Sequence, residues 1–490
     1  MTRPYLWLAV AVVALIAGGL AGRASLSVGP PAPEITTAPL LPPGAGTTGL
    51  PYMPGEVLVK LRPGHSLQRL RDEAEAALGV VETTASALLP RLHRLRLPPG
   101  ADVEEAAAAL GGLPQVEYAE PNYVLHLAAV PNDRFYPRQS WYYDLLGAPT
   151  GWDVETGDPS VVVAVLDSGI DLDHPDLENK VWRNPGEVPD GVDNDGNGFV
   201  DDVVGWNFVD NDNNPDDDSP IGHGTFVAGL IGAETNNGEG VAGVAWGVTL
   251  MSVKVVDSEG IVSIFDTINA LFYAARNGAR IINLSLAGPC ITVPPVSGAF
   301  KDLGDAINQV RQQHGAIIVS AAGNRGEPCV SYPASDPGVV GVGASSGPVV
   351  EDPDEPSGLA CSIDGPFDPD QRAVFSLGPN PSSSNWGPEI DVVAPGQCLA
   401  STSNGQDLGL YSSSPEGTSF STALVSGLAA LLLSQDTSRT EGQVRLILCA
   451  SAVDLPDDDT PGWDGCGRID ISRALTQELH RSILPTVTKE

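Results

Sequence analysis

Basic residues are scarce. In 490 residues there are 26 Lys and Arg against 62 Asp and Glu, a formal net charge of −36. Such a surface repels phosphate backbones, which excludes nucleic acid as a partner. Cysteine is absent before position 290 and then occurs at 290, 329, 361, 398, 449 and 466. No pair has zinc-site spacing, and an even number in an exported chain favours disulfides over a reactive thiol. Charge is missing altogether from Tyr5 to Gly22, between Arg3 and Arg23. That pattern is a secretory signal with small residues at Gly19 and Ala21, or an uncleaved anchor, since its length allows both. Apolar residues are not in short supply. At 42% of the chain they are ample for a large core and exclude global disorder.

The length calls for two or three units. Residues 1–23 are the signal or anchor. Residues 24–55 hold eight prolines and the single charge of Glu34, a composition that cannot bury enough surface to fold and forms a partly extended linker. From 56 to 127 the pattern becomes short alternating units. Val57, Val59 and Leu61 alternate like a strand, 67–78 has helical spacing, Leu92, Leu95 and Leu97 mark another strand, 103–110 is an Ala-rich helix, and Val116 and Tyr118 close with a strand. That order predicts a small ferredoxin-like α+β unit. In residues 128–490, apolar runs at 161–166, 250–256, 281–286, 316–320, 338–343 and 390–394 alternate with helical segments at 263–277 and 301–314. Strand, helix, strand at this spacing predicts an α/β fold whose parallel sheet is covered on both faces.

Chemistry gathers at the ends of these runs. Gly417-Thr418-Ser419 feeds a long apolar helix, placing a hydroxyl where free N–H groups and the helix dipole favour negative charge. A serine needs a base to take its proton, and the base needs a partner to hold its tautomer. Val161 to Leu166 ends in Asp167-Ser168-Gly169, and Gly222-His223-Gly224-Thr225 opens another helix. Ile317 to Ala322 ends in Gly323-Asn324, where a carboxamide can donate to an oxyanion.

The chain order Asp, His, Ser is that of subtilisin. Val165 to Asp171, Gly222 to Thr225 and Gly417 to Ser419 together resemble the three signatures of the subtilisin-like serine proteases, the subtilases. The likeness covers roughly residues 56–480, with Gly467 to Leu475 resembling the closing segment. It implies a three-layer fold with a seven-stranded sheet. Ser419 is expected as nucleophile, His223 as general base, Asp167 as its orienting partner and Asn324 as oxyanion donor. Gly55 to Lys60 and Val116 to Asn122 resemble the start and finish of the inhibitory propeptides of that family. The resemblance therefore implies a self-processing zymogen cut between Leu125 and Val130. Ser285, Leu286, Ala287, Gly288, Ser320, Ala321 and Gly323 match the walls of the main specificity pocket. Ser258 and Gly260 match a strand that pairs with extended peptides, implying broad protein or peptide substrates.

Ten Asp and no Lys or Arg lie between Asp190 and Asp218. Carboxylates so close repel unless a cation joins them. Asp193, Asp195, Asn197 and Asp201 occupy positions 1, 3, 5 and 9 of an EF-hand-like loop with Gly198 at position 6 and a carbonyl due from Phe199, although Val204 replaces the bidentate Glu. Asp210, Asp212 and Asp216 resemble a calcium loop of thermitase-like subtilases. Asp133, Asp176 and Asn237 resemble their tightest site. Structural Ca2+ is the expected cofactor, with no organic cofactor; the alternatives are a solvated acidic loop or a high-salt habitat. His174 before Pro175 is assigned to a turn.

Cys290 and Cys329 follow strands expected to be neighbours and are paired first among fifteen possible pairings; Cys449 with Cys466 and Cys361 with Cys398 complete the set. Phe226, Phe420, Ser421, Ala423 and Leu424 depart from the family pattern without removing a catalytic atom, and an acidic, Pro-rich insertion at about 346–385 is unusual. The expected protein is a secreted monomer, with membrane contact only if the N-terminal segment is retained. A catalytically silent peptide-binding scaffold is the alternative, and a processing protease dedicated to one partner is the rival within the enzyme class.

Overall fold

A computed structural model describes residues 52–86, 88–89, 91–123, 130–291, 297–351, 359–361, 368–375, 382–405, 411–412, 416–456 and 462–477. The expected signal or anchor, nearly all of the linker and most of the expected processing segment lie outside these residues. The chain divides into two compact units, one ending at Val124 and the other starting at Leu125.

In the first unit the chain runs β1 (Tyr52–Leu61), α1 (Leu67–Leu78), β2 (Glu82–Ala85), β3 (Leu92–Arg96), α2 (Val103–Gly111) and β4 (Val116–Tyr123). The strands pair antiparallel in the order β2-β3-β1-β4. Val57, Val59 and Leu61 point one way from β1, onto Leu70 of α1 and Ala106 and Leu110 of α2. Both helices start on side-chain caps, Ser66 accepting from Gln68 N–H and Asp102 from the N–H groups of Glu104 and Glu105. This is the ferredoxin-like arrangement expected from the alternation, with one strand that the sequence did not announce. β2 is a four-residue edge strand, mostly exposed, and an edge strand with no buried face leaves no apolar period to detect.

The second unit is built on a seven-stranded parallel sheet. In chain order come α3 (Tyr136–Leu145), α4 (Ala148–Trp152), β5 (Val162–Asp167), β6 (Gly205–Asn207), α5 (His223–Gly232), β7 (Thr249–Lys254), α6 (Ile264–Arg276), β8 (Ile281–Leu284), α7 (Ala299–His314), β9 (Ile317–Ala321), β10 (Val340–Ser345), β11 (Val392–Pro395), α8 (Thr418–Gln435), α9 (Glu441–Ser451) and α10 (Ile471–Thr476). The sheet order is β11-β10-β9-β8-β5-β7-β6. Alternate residues of β5 feed two cores. Val163 and Val165 pack with Leu230 of α5 and Leu424 and Leu428 of α8. Ala164 and Leu166 pack with Leu271 of α6 and Ile307 of α7. A strand buried on both faces has no polar period, which is why these strands read as continuous apolar runs. The three-residue β6 was not anticipated, being too short to leave a pattern.

The interior strand β5 sits where the order reverses: the chain builds β6 and β7 on one side of it and β8 to β11 on the other. Sites in open α/β sheets form at the carboxyl ends of strands beside such a reversal. Cys290 is joined to Cys329 and Cys449 to Cys466, as expected. Cys398 is also disulfide-bonded; the side chain of its expected partner, Cys361, lies outside those described. Sequence separations of 39 and 17 imply about 3 to 4 kcal/mol from each bridge through loop closure in the unfolded chain. Replacing Cys449 and Cys466 by alanine in a Ser419→Ala background should therefore lower unfolding free energy by about 3 kcal/mol, measured by denaturant titration.

Candidate active site

β5 carries Asp167 to its carboxyl end, where the residue is fully buried. Its Oδ1 lies 2.7 Å from His223 Nδ1 and also accepts the Ser168 N–H at 2.8 Å. His223 opens α5, and two glycines set its position. Gly222 has φ of +64°, a left-handed conformation that glycine adopts without strain. At Gly224 a Cβ would stand 2.1 Å from the Gly169 carbonyl oxygen and 3.1 Å from the Asp167 Cβ, so only glycine lets the helix start this close to the acid.

A second carboxylate stands behind the pair. Asp217, 3% exposed, accepts from Ser168 Oγ at 3.0 Å, from Ser219 N–H at 3.2 Å, and from Thr225 N–H and Oγ1 at 3.1 and 2.6 Å. Ser168 Oγ in turn accepts the Gly224 N–H at 2.9 Å. Loop, strand end and helix start are thereby locked together. Burial works against the His223 imidazolium, yet the charge and hydrogen bond of Asp167, with the Asp217 charge, outweigh it and hold the pKa above the ordinary histidine value. The imidazole packs 5.4 Å from the Phe420 ring, which lies 4.8 Å from Phe226. The two phenylalanines that depart from the family pattern thus meet behind the base.

Ser419 is the second residue of α8 and is 8% exposed. A buried polar chain fixes it: Ser426 Oγ donates to Asn283 Oδ1 (2.9 Å), Asn283 Nδ2 to Ser285 Oγ (3.0 Å), and Ser285 Oγ to the Ser419 carbonyl (2.8 Å). Every link is satisfied, so the chain orients rather than destabilises. Ser419 Oγ donates to the Ser285 carbonyl at 3.1 Å. Attack requires its χ1 to turn the hydroxyl toward the imidazole, a tightening common when substrate enters. Asn324, three residues past β9, accepts from Thr418 N–H at 2.9 Å and Thr418 Oγ1 at 2.8 Å. With its oxygen held there, the amide NH2 makes no hydrogen bond among the described residues. Asn324→Leu should lower kcat by about 10^2 to 10^3-fold with little change in KM, the cost of removing one oxyanion donor in subtilisin; steady-state kinetics on a chromogenic peptide check it.

Asp167, His223, Asn324 and Ser419 line one cleft of about 610 Å³. Ser258, Gly260, Ser285, Leu286, Ala287, Gly288 and Ala321 line it too. Ser320 and Gly323 lie behind the wall, Ser320 Oγ donating to the Leu286 carbonyl and Gly323 N–H to Thr418 Oγ1. Leu284, Leu286, Phe300, Leu303 and Tyr332 make one end apolar.

The acidic residues separate into different roles. Asp133 and Asp176 are buried; Asp133 accepts the Asn236 N–H, and Asp176 accepts from Asn237 Nδ2 and Val241 N–H. Burial raises both carboxyl pKa values, and the Asp176 charge raises that of Asp133 further. Two buried carboxylates beside Asn237 fit a hard cation. Asp193 instead caps the N–H groups of Gly196, Asn197 and Gly198, and Asp201 those of Asp190 and Gly191. Asp195 lies with Glu187 and Asp202, two residues absent from the sequence-based set. Asp210 accepts from Asn207, Asp212 from Asn214 N–H and Asp216 from Leu172 N–H, so these three are engaged with separate partners. His174 Nδ1 accepts the Asp176 N–H at 3.0 Å, a turn-shaping contact.

A serine at a helix N-terminus, an imidazole and a buried aspartate, arriving in the order Asp, His, Ser on a doubly covered parallel sheet, place the molecule among the serine proteases of subtilisin type. Comparison with known proteins makes the assignment specific. The model of the subtilase family matches residues 158–467, and that of the fervidolysin N-terminal prodomain matches 43–122; the chain belongs to the subtilase family and is a serine endopeptidase with a prodomain. It is 35% identical to a thermophilic serine proteinase of Bacillus sp. (strain AK1) over 80% of each chain. It is 31% identical to thermitase of Thermoactinomyces vulgaris, over 63% of this chain and 87% of the relative. A solved protease structure from Pseudoalteromonas arctica matches 71% of this chain and 99% of its own with a TM-score of 0.53 and 26% identity.

Proposed function

We propose that the protein is a secreted, self-processing endopeptidase stabilised by calcium, in which Ser419, His223, Asp167 and Asn324 carry the chemistry. The observation that carries the reading is the 2.7 Å contact of His223 Nδ1 with a fully buried Asp167 in the cleft that Ser419 and Asn324 also line. Asp167 holds the imidazole with its other nitrogen toward the cleft and stabilises the imidazolium that forms. His223 takes the Ser419 proton as Oγ attacks the scissile carbonyl, then gives it to the leaving amine. Asn324 Nδ2 and the Ser419 N–H at the start of α8 receive the oxyanion. Water then hydrolyses the acyl-enzyme by the same route. The uncharged end of the cleft favours an apolar side chain before the cut bond. The test is labelling by a fluorophosphonate: the mature protein should take up one equivalent on Ser419 and lose peptidase activity in step, whereas labelling elsewhere would contradict the assignment.

The first unit acts as intramolecular inhibitor until it is cut off, in keeping with its match to a prodomain. The uncharged stretch at Tyr5 to Gly22 supports export. Asp133, Asp176 and Asn237 would hold a structural calcium, supplying positive charge that relieves two buried carboxylates. At calcium a hundredfold above its dissociation constant the gain is about 2.7 kcal/mol. Chelation should lower the melting temperature of the Ser419→Ala protein and speed self-digestion of the active one, followed by calorimetry and by residual activity with time.

A further inference from the structure

The acidic segment after β5 contains a second group of carboxylates that the active site does not use. One carboxylate oxygen from each of Glu187, Asp195 and Asp202 lies within 4.8 Å of the others. Two of the three residues are out of solvent, Glu187 at 6% exposed and Asp202 at 0%. Glu187 Oε1 accepts the N–H groups of Asn194 (2.7 Å) and Asp195 (3.0 Å), but its Oε2 is buried without a hydrogen-bond partner among the described residues. A charged oxygen removed from water and given no donor is strongly unfavourable, and the fold must compensate for it.

The donors around the other two are neutral. Asp202 accepts from Asn184 Nδ2 at 2.9 Å, Asn197 Nδ2 at 3.1 Å and Tyr273 OH at 2.7 Å; Asp195 Oδ2 accepts from the same two amides at 3.0 and 3.2 Å. Neutral donors orient carboxylates without cancelling their repulsion, and no Lys or Arg occurs between Asp190 and Asp218. Meanwhile Asp193 and Asp201 shape the loop by capping backbone N–H groups, which presents Asp195 and Asp202 to Glu187.

We propose that Glu187, Asp195 and Asp202 bind a calcium ion that ties this loop to α6 through Tyr273. The donors are all oxygen, which selects a hard cation, and an irregular loop with several carboxylates suits the adaptable shell of calcium better than the strict octahedron of magnesium. The inference depends on the calcium reading above only for the choice of cation, and not on the catalytic assignment.

The test uses the full chain carrying Ser419→Ala, stripped of metal, and terbium as a luminescent calcium substitute excited through the protein's aromatic residues. Saturable emission reversed by calcium is expected in this parent and in Asp176→Asn. Glu187→Gln with Asp195→Asn should weaken terbium binding by about tenfold or more, because affinity follows the ligand charge. In chelator the double variant should melt no lower than the parent, since repulsion is relieved, while calcium raises the parent's melting temperature more than the variant's. An unchanged terbium titration and an equal calcium shift would overturn the site while leaving calcium binding elsewhere intact. A double variant that melts lower than the parent in chelator would also overturn it, showing that the carboxylates act through their own hydrogen bonds. A parent indifferent to calcium and terbium would remove both this site and the calcium reading.

Discussion

Ser419→Ala is expected to lower kcat on a peptide substrate by about 10^6-fold while leaving KM nearly unchanged. The loss is this large because nucleophile, base and acid work as one unit. Without Oγ, the imidazole has no proton to take and the acyl-enzyme cannot form. What remains should be a slow attack by water aided by Asn324 and the first turn of α8, which keep their positions through Thr418 and the Ser426, Asn283, Ser285 chain. Single-turnover assays on an apolar fluorogenic peptide measure it. A loss below about a hundredfold would mean that a different group attacks, since no supporting contact of this kind is worth more than the nucleophile itself.

Asp167→Asn should lower kcat by about 10^4-fold near neutral pH. An amide donates where the carboxylate accepts, which favours the wrong histidine tautomer. The same substitution should also move the pH profile. In the wild type the folded pKa of His223 is raised, burial being outweighed by Asp167 and Asp217. The imidazolium therefore persists to a higher pH than in a free histidine, and the acid limb of kcat/KM, which reports loss of that proton, lies above the ordinary histidine range. For stability the sign is the matching one. The raised pKa contributes stability that is fully present below the unfolded histidine value and is lost as pH rises through the folded one. With Asp167 neutralised, the acid limb should shift to lower pH, and this pH dependence of melting should shrink. A limb that stays in place would show that Asp167 is not the dominant partner.

The four residues that meet in the cleft were legible because each is announced by local pattern. An apolar β-branched run ending in Asp167, a glycine-flanked His223 and a small-residue turn before Ser419 each state both an element and a group at its end. The neighbouring acidic residues were not legible in the same way. Asp217 is buried and braces the start of α5, whereas the adjacent side chain of Asp218 is 66% exposed and meets Lys254. Asp201 caps backbone at a φ of +56°, whereas Asp202 is buried against Tyr273. Side by side in sequence, these pairs differ only in which way the loop turns, and loop spacing does not encode that. The EF-hand-like spacing accordingly identified Asp195 but not Glu187, which reaches the cluster from outside the motif. The strands β2 and β6 escaped for a simpler reason: one is an exposed edge and the other spans three residues.

The central claim is that this chain cuts itself with Ser419, and the most direct measurement is the intact mass of the exported protein, wild type beside Ser419→Ala. The account predicts a wild type beginning between Leu125 and Val130 and a Ser419→Ala protein that keeps residues 56–127. Two species of identical mass, both processed or both unprocessed, would contradict it.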